Sequence, residues 1–356
     1  MVKWDANKPN NGLGSLPPKG LALTPEQTAL LLEVVALLSR LDEAADLLAN
    51  PAVFNNALPM LEIASSSRIE NIITTHDEMF VAAASTTQPI SPFTRLAMKN
   101  RAALNLGFSA VTARPISAKL LREIASSLLG YEVAVRHLPG TFIGEVGNRI
   151  YAPPEGNELL EKLLDDLVTF IGSSDLHPVL IMILAHYQFE AIHPYPDGNG
   201  RTGRVLNQLI LSQHGLLKAP VLNLSTYLVQ NRDEYYRRLH GVESLGDWAG
   251  WISFMLLALR SAVLDSYSKM KQLTLRQLKL SEELFPLVGK ASGELGQLLF
   301  EKPYCQIGHV VERLGVSRPT ASKFLEALVR AGLLTSFVSG KEKFFVNKSM
   351  LEVLAS

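Results

Sequence analysis

Prolines set the terms on which this chain can fold. From Thr24 onward apolar residues recur at helical spacing. Prolines at 51, 59, 92 and 115 cut that run into segments, because a proline cannot donate to the helix and crowds the turn before it. Thr24-Pro25-Glu26-Gln27 is a helix start, with Thr as N-cap, Pro in the first turn and Gln in the capping-box position, and Leu30, Leu31, Val34, Val35, Leu37 and Leu38 then follow the helical period. Residues 1–22 are rich in Pro, Gly and Asn and read as an extended arm, on the body or free in solvent. The first strand signal comes at residues 140–152, where Phe142-Ile143 and Ile150-Tyr151 flank the turn pair Gly147-Asn148, a small β-hairpin closed by Pro153-Pro154. Helical spacing resumes over 159–171, 178–191 and roughly 247–287. The fold class is therefore mainly α, an all-α bundle with one hairpin.

The last seventy or so residues follow a different pattern. Helices over 293–301, 306–314 and 318–331, a tight Gly315-Val316 turn with Ser317 as the next N-cap, and strands before and after Ser339-Gly340 read as a winged helix-turn-helix. The organisation expected is an arm (1–22), a helical domain (23–285) and a C-terminal winged module (286–356). At 356 residues, about two domains are also what length alone suggests. Apolar residues at 47% and charged residues at 19% exclude a disordered or coiled-coil chain. Lys and Arg (34) balance Asp and Glu (34), so no whole-chain field draws it to nucleic acid or an anionic membrane. The N-terminus lacks a signal-peptide pattern, the greasiest stretch, 251–263, is too short to cross a bilayer and carries Arg260, and the single Cys305 excludes an internal disulfide. A cytoplasmic chain without a membrane partner is the expectation.

One segment, HisProTyrProAspGlyAsnGlyArgThrGlyArg at 193–204, has the composition of a reactive loop. Pro194 and Pro196 forbid helix before Asp197, while Gly198 and Gly200 let the backbone turn so that N–H groups point inward where the next helix begins. Such a helix start attracts anions. Arg201 and Arg204 lie three apart on one face, able to clamp two phosphates, and Asp197 offers the hard oxygen that suits Mg²⁺. His193 at the loop's mouth is placed as a general base for a hydroxyl nucleophile.

This segment resembles the signature of the Fic family, HPFx(D/E)GNGRxxR, with Tyr195 where Phe is usual. The likeness extends over roughly residues 5–265. The hairpin followed by IleTyrAlaProPro is similar to that family's flap over the target peptide, and the arm's LeuGlySerLeuProPro to the start of many members. The resemblance implies an all-α bundle that transfers AMP from ATP to a Ser, Thr or Tyr hydroxyl of a protein, itself included. In that reading His193 is the base and Asp197 holds Mg²⁺. Gly198, Asn199 and Gly200 form the anion hole with Asn199 on the α-phosphate, Arg201 takes the β-phosphate, Arg204 takes the γ-phosphate, and Thr202 and Gly203 complete the phosphate-binding turn. Ile143 and Gly144 offer flap hydrogen bonds to the target. Tyr235-Tyr236 resemble a pair near the adenine pocket, with a packing role left open.

SerSerArgIleGluAsn, ending at Asn71, fits the family's inhibitory pattern (S/T)xxxE(G/N) through Ser66, Glu70 and Asn71 on a helix expected at about 60–75. Glu70 paired with Arg204 would occupy the γ-phosphate's partner, and the same carboxylate could position water for removal of AMP. His76, His137, His186 and His240 lack metal-site spacing and are read as structural. In the winged module eight Lys/Arg face five Asp/Glu from 301 onward, and Arg318 and Lys323 fall on the recognition helix, so DNA contact stays open beside a module kept for dimerisation or target presentation. The rival readings are a nucleotide-sensing DNA-binding regulator and a Fic member with altered transfer chemistry.

Overall fold

The computed structural model describes residues 5–46, 51–85, 90–145 and 148–355. The helices are α1 (Pro25–Asp46), α2 (Pro51–Ile69), α3 (His76–Ala84), α4 (Pro92–Val111), α5 (Ala118–Leu129), then, after the hairpin β1 (Ile143–Glu145) and β2 (Asn148–Tyr151), α6 (Asn157–Ser173), α7 (Pro178–Ile192), α8 (Asn199–Gln213), α9 (Leu224–Gln230), α10 (Arg232–Leu245) and α11 (Trp248–Val288). The C-terminal module adds α12 (Ser292–Glu301), β3 (Tyr304–Cys305), α13 (Ile307–Leu314), α14 (Arg318–Arg330), β4 (Thr335–Ser339), β5 (Glu342–Val346) and α15 (Lys348–Ala355), with its sheet in the order β3-β5-β4.

The start of α1 is the capping box its residues announce: Gln27 N–H donates to Thr24 Oγ1 (3.2 Å) and Thr24 N–H to Gln27 Oε1 (3.0 Å). The arm lies on the body, with Asn10 N–H on the Ala152 carbonyl (3.0 Å) and Gln188 Nε2 on the Gly14 carbonyl (2.9 Å). One proline behaves otherwise than expected. Pro59 does not end a helix but sits inside α2. Its missing N–H forfeits one backbone bond, and the burial of Ala57, Leu58, Met60, Leu61 and Ile63 on the same stretch outweighs a penalty of about 3 kcal/mol. The hairpin pairs antiparallel with an irregularity between Ile143 and Gly144; Gly147 of its expected turn lies outside the described residues.

The core is built around α7, whose side chains from Val179 to Ile192 are all buried. A helix apolar all round needs cover on every side, and α6, α8 and α11 supply it. The long α11 packs α1, α9 and α10 along its first part and α12, α14 and α15 along its last, so it passes through residue 285 without a break. By length and composition the helical run 248–301 holds a stretch that could cross a bilayer, unlike 251–263 alone, yet 56% of that longer stretch is buried inside the protein. The winged module also docks on the helical domain. Tyr304 stacks on Phe80 of α3 (6.0 Å) and its hydroxyl donates to Asp77 Oδ1 (2.5 Å).

Candidate active site

Helix α7 stops where His193 turns left-handed (φ 48°, ψ 58°), an uncommon state for a residue with a side chain. Arg136 holds it there. This buried guanidinium donates from Nε to the His193 carbonyl (2.7 Å) and from Nη2 to the carbonyls of Pro154 (2.5 Å) and Ile192 (3.3 Å), while the Arg136 N–H takes the Pro194 carbonyl (2.9 Å). His193 and the end of the hairpin thus hang from one side chain. The loop then closes on itself: Asn199 Nδ2 donates to the Tyr195 carbonyl (2.7 Å), and Asn199 Oδ1 accepts from the Tyr195 N–H (2.8 Å). That commits the Asn199 amide to the loop and leaves its main-chain N–H, in the first turn of α8, for an anion. Gly198, at φ 75°, supplies the turn into α8.

Arg201 and Arg204 rise from the first two turns of α8, both buried. Arg201 Nη2 stands 3.8 Å from Asp197 Oδ2, and its Nε and Nη1 are buried with no partner among the described residues. A buried guanidinium with unused donors is costly unless something anionic completes it. Asp197 is exposed and takes the Gly198 N–H on Oδ1 (2.6 Å). Arg204 is already answered: Nε donates to Ser66 Oγ (2.8 Å), and Nη2 donates to the Ser66 carbonyl (3.0 Å) and to Glu70 Oε1 (2.8 Å). The helix expected over about 60–75 runs instead from Pro51 to Ile69, and Glu70 stands in its closing turn, where Asn71 is left-handed (φ 58°) and accepts from Arg232 Nη1 (3.3 Å). Gly200 makes room for this arrangement, since a Cβ there would lie 2.3 Å from Glu70 Oε1 and 2.9 Å from Arg204 Nη1.

The charges are tuned accordingly. Burial would raise the Glu70 carboxyl, but Arg204 beside it, with Arg201 and His193, holds it below the usual carboxylate range. His193 is driven down to about 4 by burial and then by the Arg136 cation, opposed by Glu70, the Glu190 carbonyl and Asp197. It is therefore a neutral imidazole near pH 7, and with Nδ1 buried, Nε2 is the nitrogen left to accept a proton.

Other residues take places that differ from the expected ones. Thr202 is fully buried and its hydroxyl donates to the Gly198 carbonyl (2.8 Å), so its side chain bonds back onto the first turn of α8 rather than facing a phosphate. A Cβ on Gly203 would meet Glu190 Oε1 at 2.5 Å and Phe189 Cδ1 at 3.1 Å, which makes this glycine a packing contact between α7 and α8. Tyr235 is buried beside Trp251 and Phe254 with its hydroxyl on His186 Nε2 (2.9 Å). Tyr236 is 38% exposed and lines a cleft of about 50 Å³ with Ile143, Ile150 and Glu190, under the hairpin that carries the exposed Gly144. His186, pushed down to about 3 by burial and the Arg204 charge, is neutral core, as its spacing suggested. Arg318 and Lys323 are exposed on α14, whereas Lys343 is paired with Glu326 (2.5 Å).

Two residues of the site lie outside every motif in the sequence. Arg136 precedes the hairpin in an irregular stretch, and Glu190, buried and raised to about 7 by desolvation against the pull of Arg204, lies within the apolar run of α7. A carboxylate three residues before His193 on an otherwise greasy helix was the one available clue.

Comparison with known proteins agrees with this geometry. Profiles described as Fic/DOC family N-terminal, Fic/DOC family and Protein adenylyltransferase SoFic-like, C-terminal domain match residues 30–109, 115–211 and 291–350. The chain is 33% identical over 105 residues to Protein adenylyltransferase fic-1 of Caenorhabditis elegans, covering 29% of this chain and 19% of that protein. It is 36% identical over 117 residues to Protein adenylyltransferase Fic of Nematostella vectensis, covering 32% and 26%. The match thus spans about a fifth to a quarter of these relatives' length. A crystal structure of a Fic family protein from Desulfovibrio desulfuricans G20 superposes with TM-score 0.60 at 23% identity over 92% of this chain and 97% of that one, which shows a shared fold. With three profiles falling in order along a chain whose 193–204 loop sits at a helix start between buried arginines, the protein belongs to the Fic family.

Proposed function

We propose that this chain is an ATP-dependent protein adenylyltransferase that restrains itself through Glu70. The observation that carries the reading is Arg201, buried at the first turn of α8 with two unused donors, beside an Arg204 whose anionic partner is Glu70. A triphosphate completes the first and competes for the second. In the reaction His193 Nε2 takes the proton of a target hydroxyl as that oxygen attacks the α-phosphorus. A new P–O bond forms, the bond to the β-phosphate oxygen breaks, and pyrophosphate leaves with the negative charge that Arg201 and Arg204 stabilise. The main-chain N–H groups of Asn199 and Gly200 and the turn at Gly198 face the transferred phosphate. The exposed Asp197 carboxylate fits Mg²⁺, which binds by one or two carboxylates together with substrate phosphates and would neutralise phosphate charge there. Ile143 and Gly144 border the cleft where a target strand would pair with the hairpin, and Tyr236 rather than Tyr235 has the exposure to meet an adenine. The exposed Arg318 and Lys323 leave α14 open to a nucleic-acid backbone, a role that a gel shift with and without ATP would read. The reading calls for an ATP-supplied compartment such as the cytoplasm.

Intact-mass spectrometry after incubation with Mg²⁺ and ATP tests the proposal. An AMP adduct is expected to rise in Glu70→Gly and to vanish in Glu70→Gly/His193→Ala. If Glu70→Gly binds ATP yet transfers label from α-labelled ATP neither to itself nor to any protein in a lysate, the proposal fails.

A further inference from the structure

Helix α11 turns an apolar stripe to solvent along most of its length. Leu257, Leu264, Tyr267, Leu275, Leu278 and Phe285 are between 39% and 63% exposed, large side chains that the other described residues leave partly bare. Together they leave on the order of 600 Å² of apolar surface on one face, the scale at which an exposed patch marks an interaction site.

The order of these residues identifies the partner. The steps along the stripe, 257 to 264, 267, 271, 275, 278 and 285, are 7, 3, 4, 4, 3 and 7, the same from either end with Lys271 at the centre. Reversing the helix about Lys271 places Leu257 on Phe285, Leu264 on Leu278 and Tyr267 on Leu275. It also brings the exposed Arg260 to the exposed Glu282. A two-fold axis demands that residue i meet residue j and residue j meet residue i, and an arbitrary partner imposes no such palindrome. We infer that the outward face of α11 is the interface of an antiparallel homodimer whose two-fold axis passes beside Lys271.

The stripe spans twenty-nine residues, about 42 Å of helix, and with the stems of its flanking charged residues approaches the ~800 Å² per partner of a standard interface. The charges fit as well. Arg260, which within its own chain reaches Glu33 (2.6 Å), meets a second carboxylate from Glu282 of the other copy at each end. One contact opposes association: the two copies of Lys271 approach each other on the axis, exposed and free to swing their ammonium groups outward over apolar stems.

Sedimentation velocity on the full chain tests this independently of any transfer activity. The wild type is expected to approach twice the monomer mass as concentration rises, and Leu278→Arg to stay monomeric with an unchanged melting temperature. Lys271→Met, which removes the like charges on the axis, is expected to tighten the dimer several-fold. Register is read by cross-linking, since the native Cys305 is buried. Under mild oxidation, chains with Leu264→Cys are expected to link to chains with Leu278→Cys faster than either links to itself. A wild type monomeric at every concentration, a dimer indifferent to Leu278→Arg, or self-linking of Leu264→Cys chains as fast as mixed linking would overturn the inference. So would a monomer that floats with anionic vesicles through this stripe.

Discussion

Replacing Arg136 with Met in a Glu70→Gly background separates the scaffold of the site from its phosphate ligands. The substitution keeps an apolar stem of similar length and deletes the guanidinium, so the carbonyls of His193, Pro154 and Ile192 lose donors at 2.7, 2.5 and 3.3 Å. Each buried acceptor left unsatisfied costs about 1–3 kcal/mol, and removing the burden of a buried cation returns part of that. A net loss of about 3 kcal/mol follows, or a melting temperature lower by about 6 °C for a chain of this size. The kinetic effect is expected to be larger. His193 is held in a left-handed state that costs a residue with a side chain about 1–2 kcal/mol, so it relaxes once the clamp is gone. A base displaced by an ångström costs about 100-fold in kcat. KM for ATP should change little, because Arg201 and Arg204 sit on α8. The pH profile moves as well. Burial and then the Arg136 cation hold His193 near 4, and without that cation its pKa rises; transfer needs the deprotonated imidazole, so the acid limb of kcat shifts to higher pH. Asp197 and the Glu190 carbonyl, which also face the ring, are unchanged in both proteins. The assay is steady-state transfer of label from α-labelled ATP across pH, with Arg136→Lys as a partial rescue. A variant that loses stability but keeps its kcat and its acid limb would show that Arg136 does not position the base.

Three further outcomes can be checked on purified protein. Gly203→Ala forces a Cβ to within 2.5 Å of Glu190 Oε1 and should cost about 1–3 kcal/mol, lowering the thermal midpoint, whereas an unchanged midpoint would refute the tight α7–α8 contact. His186 and His193, held down to about 3 and about 4, are protonated in the unfolded chain but not in the folded one as pH falls below about 6.5, so each contributes a loss of stability of up to ~1.4 kcal/mol per pH unit over that range. Glu190, raised to about 7, binds its proton in the folded state and opposes that slope up to pH 7, so Glu190→Gln should make stability climb more steeply between about pH 5 and pH 7 in urea titrations, and an unaltered slope would contradict its burial as a neutral acid. Tyr304→Phe should cost about 1 kcal/mol through the lost bond to Asp77 and Tyr304→Ala about 3 kcal/mol through the stacking on Phe80 as well; equal effects of the two would dismiss the aromatic contact between the winged module and α3.

Features that depend on near neighbours in the chain were legible in the sequence. The Thr24 and Gln27 box, the stop at Pro153-Pro154, the Ser317 cap of α14 and the pairing of Arg201 with Arg204 on one helix face each rest on residues a few positions apart. The family resemblance, carried by the 193–204 loop, also extended to Glu70, which reaches Arg204 across more than a hundred residues. Long-range packing decided the rest. Pro59 continues a helix because its neighbours are buried, a fact written in α9 and α12 rather than around residue 59. The two-residue β3 exists through its pairing with β5, forty residues later. Arg136 gains its place from carbonyls at 154, 192 and 193. Thr202 and Gly203 sit inside the 193–204 motif, yet the Thr202 hydroxyl answers to Gly198 and the bare Gly203 Cα to Glu190, and this is visible only once α7 and α8 are laid together.

The bare Cα of Gly200 has a consequence for how this protein can change over generations. The space its missing side chain leaves is filled by the Glu70 carboxylate, and it borders the first turn of α8 that a phosphate would occupy. On the function proposed above, a substitution that fills it would displace Glu70 and crowd the substrate in the same step. Restraint and activity therefore cannot be traded against each other at this position. A lineage seeking a looser or tighter brake has to find it on α2 and its closing turn, at Ser66, Glu70 or Asn71, where side chains can vary while the floor of the pocket stays as it is.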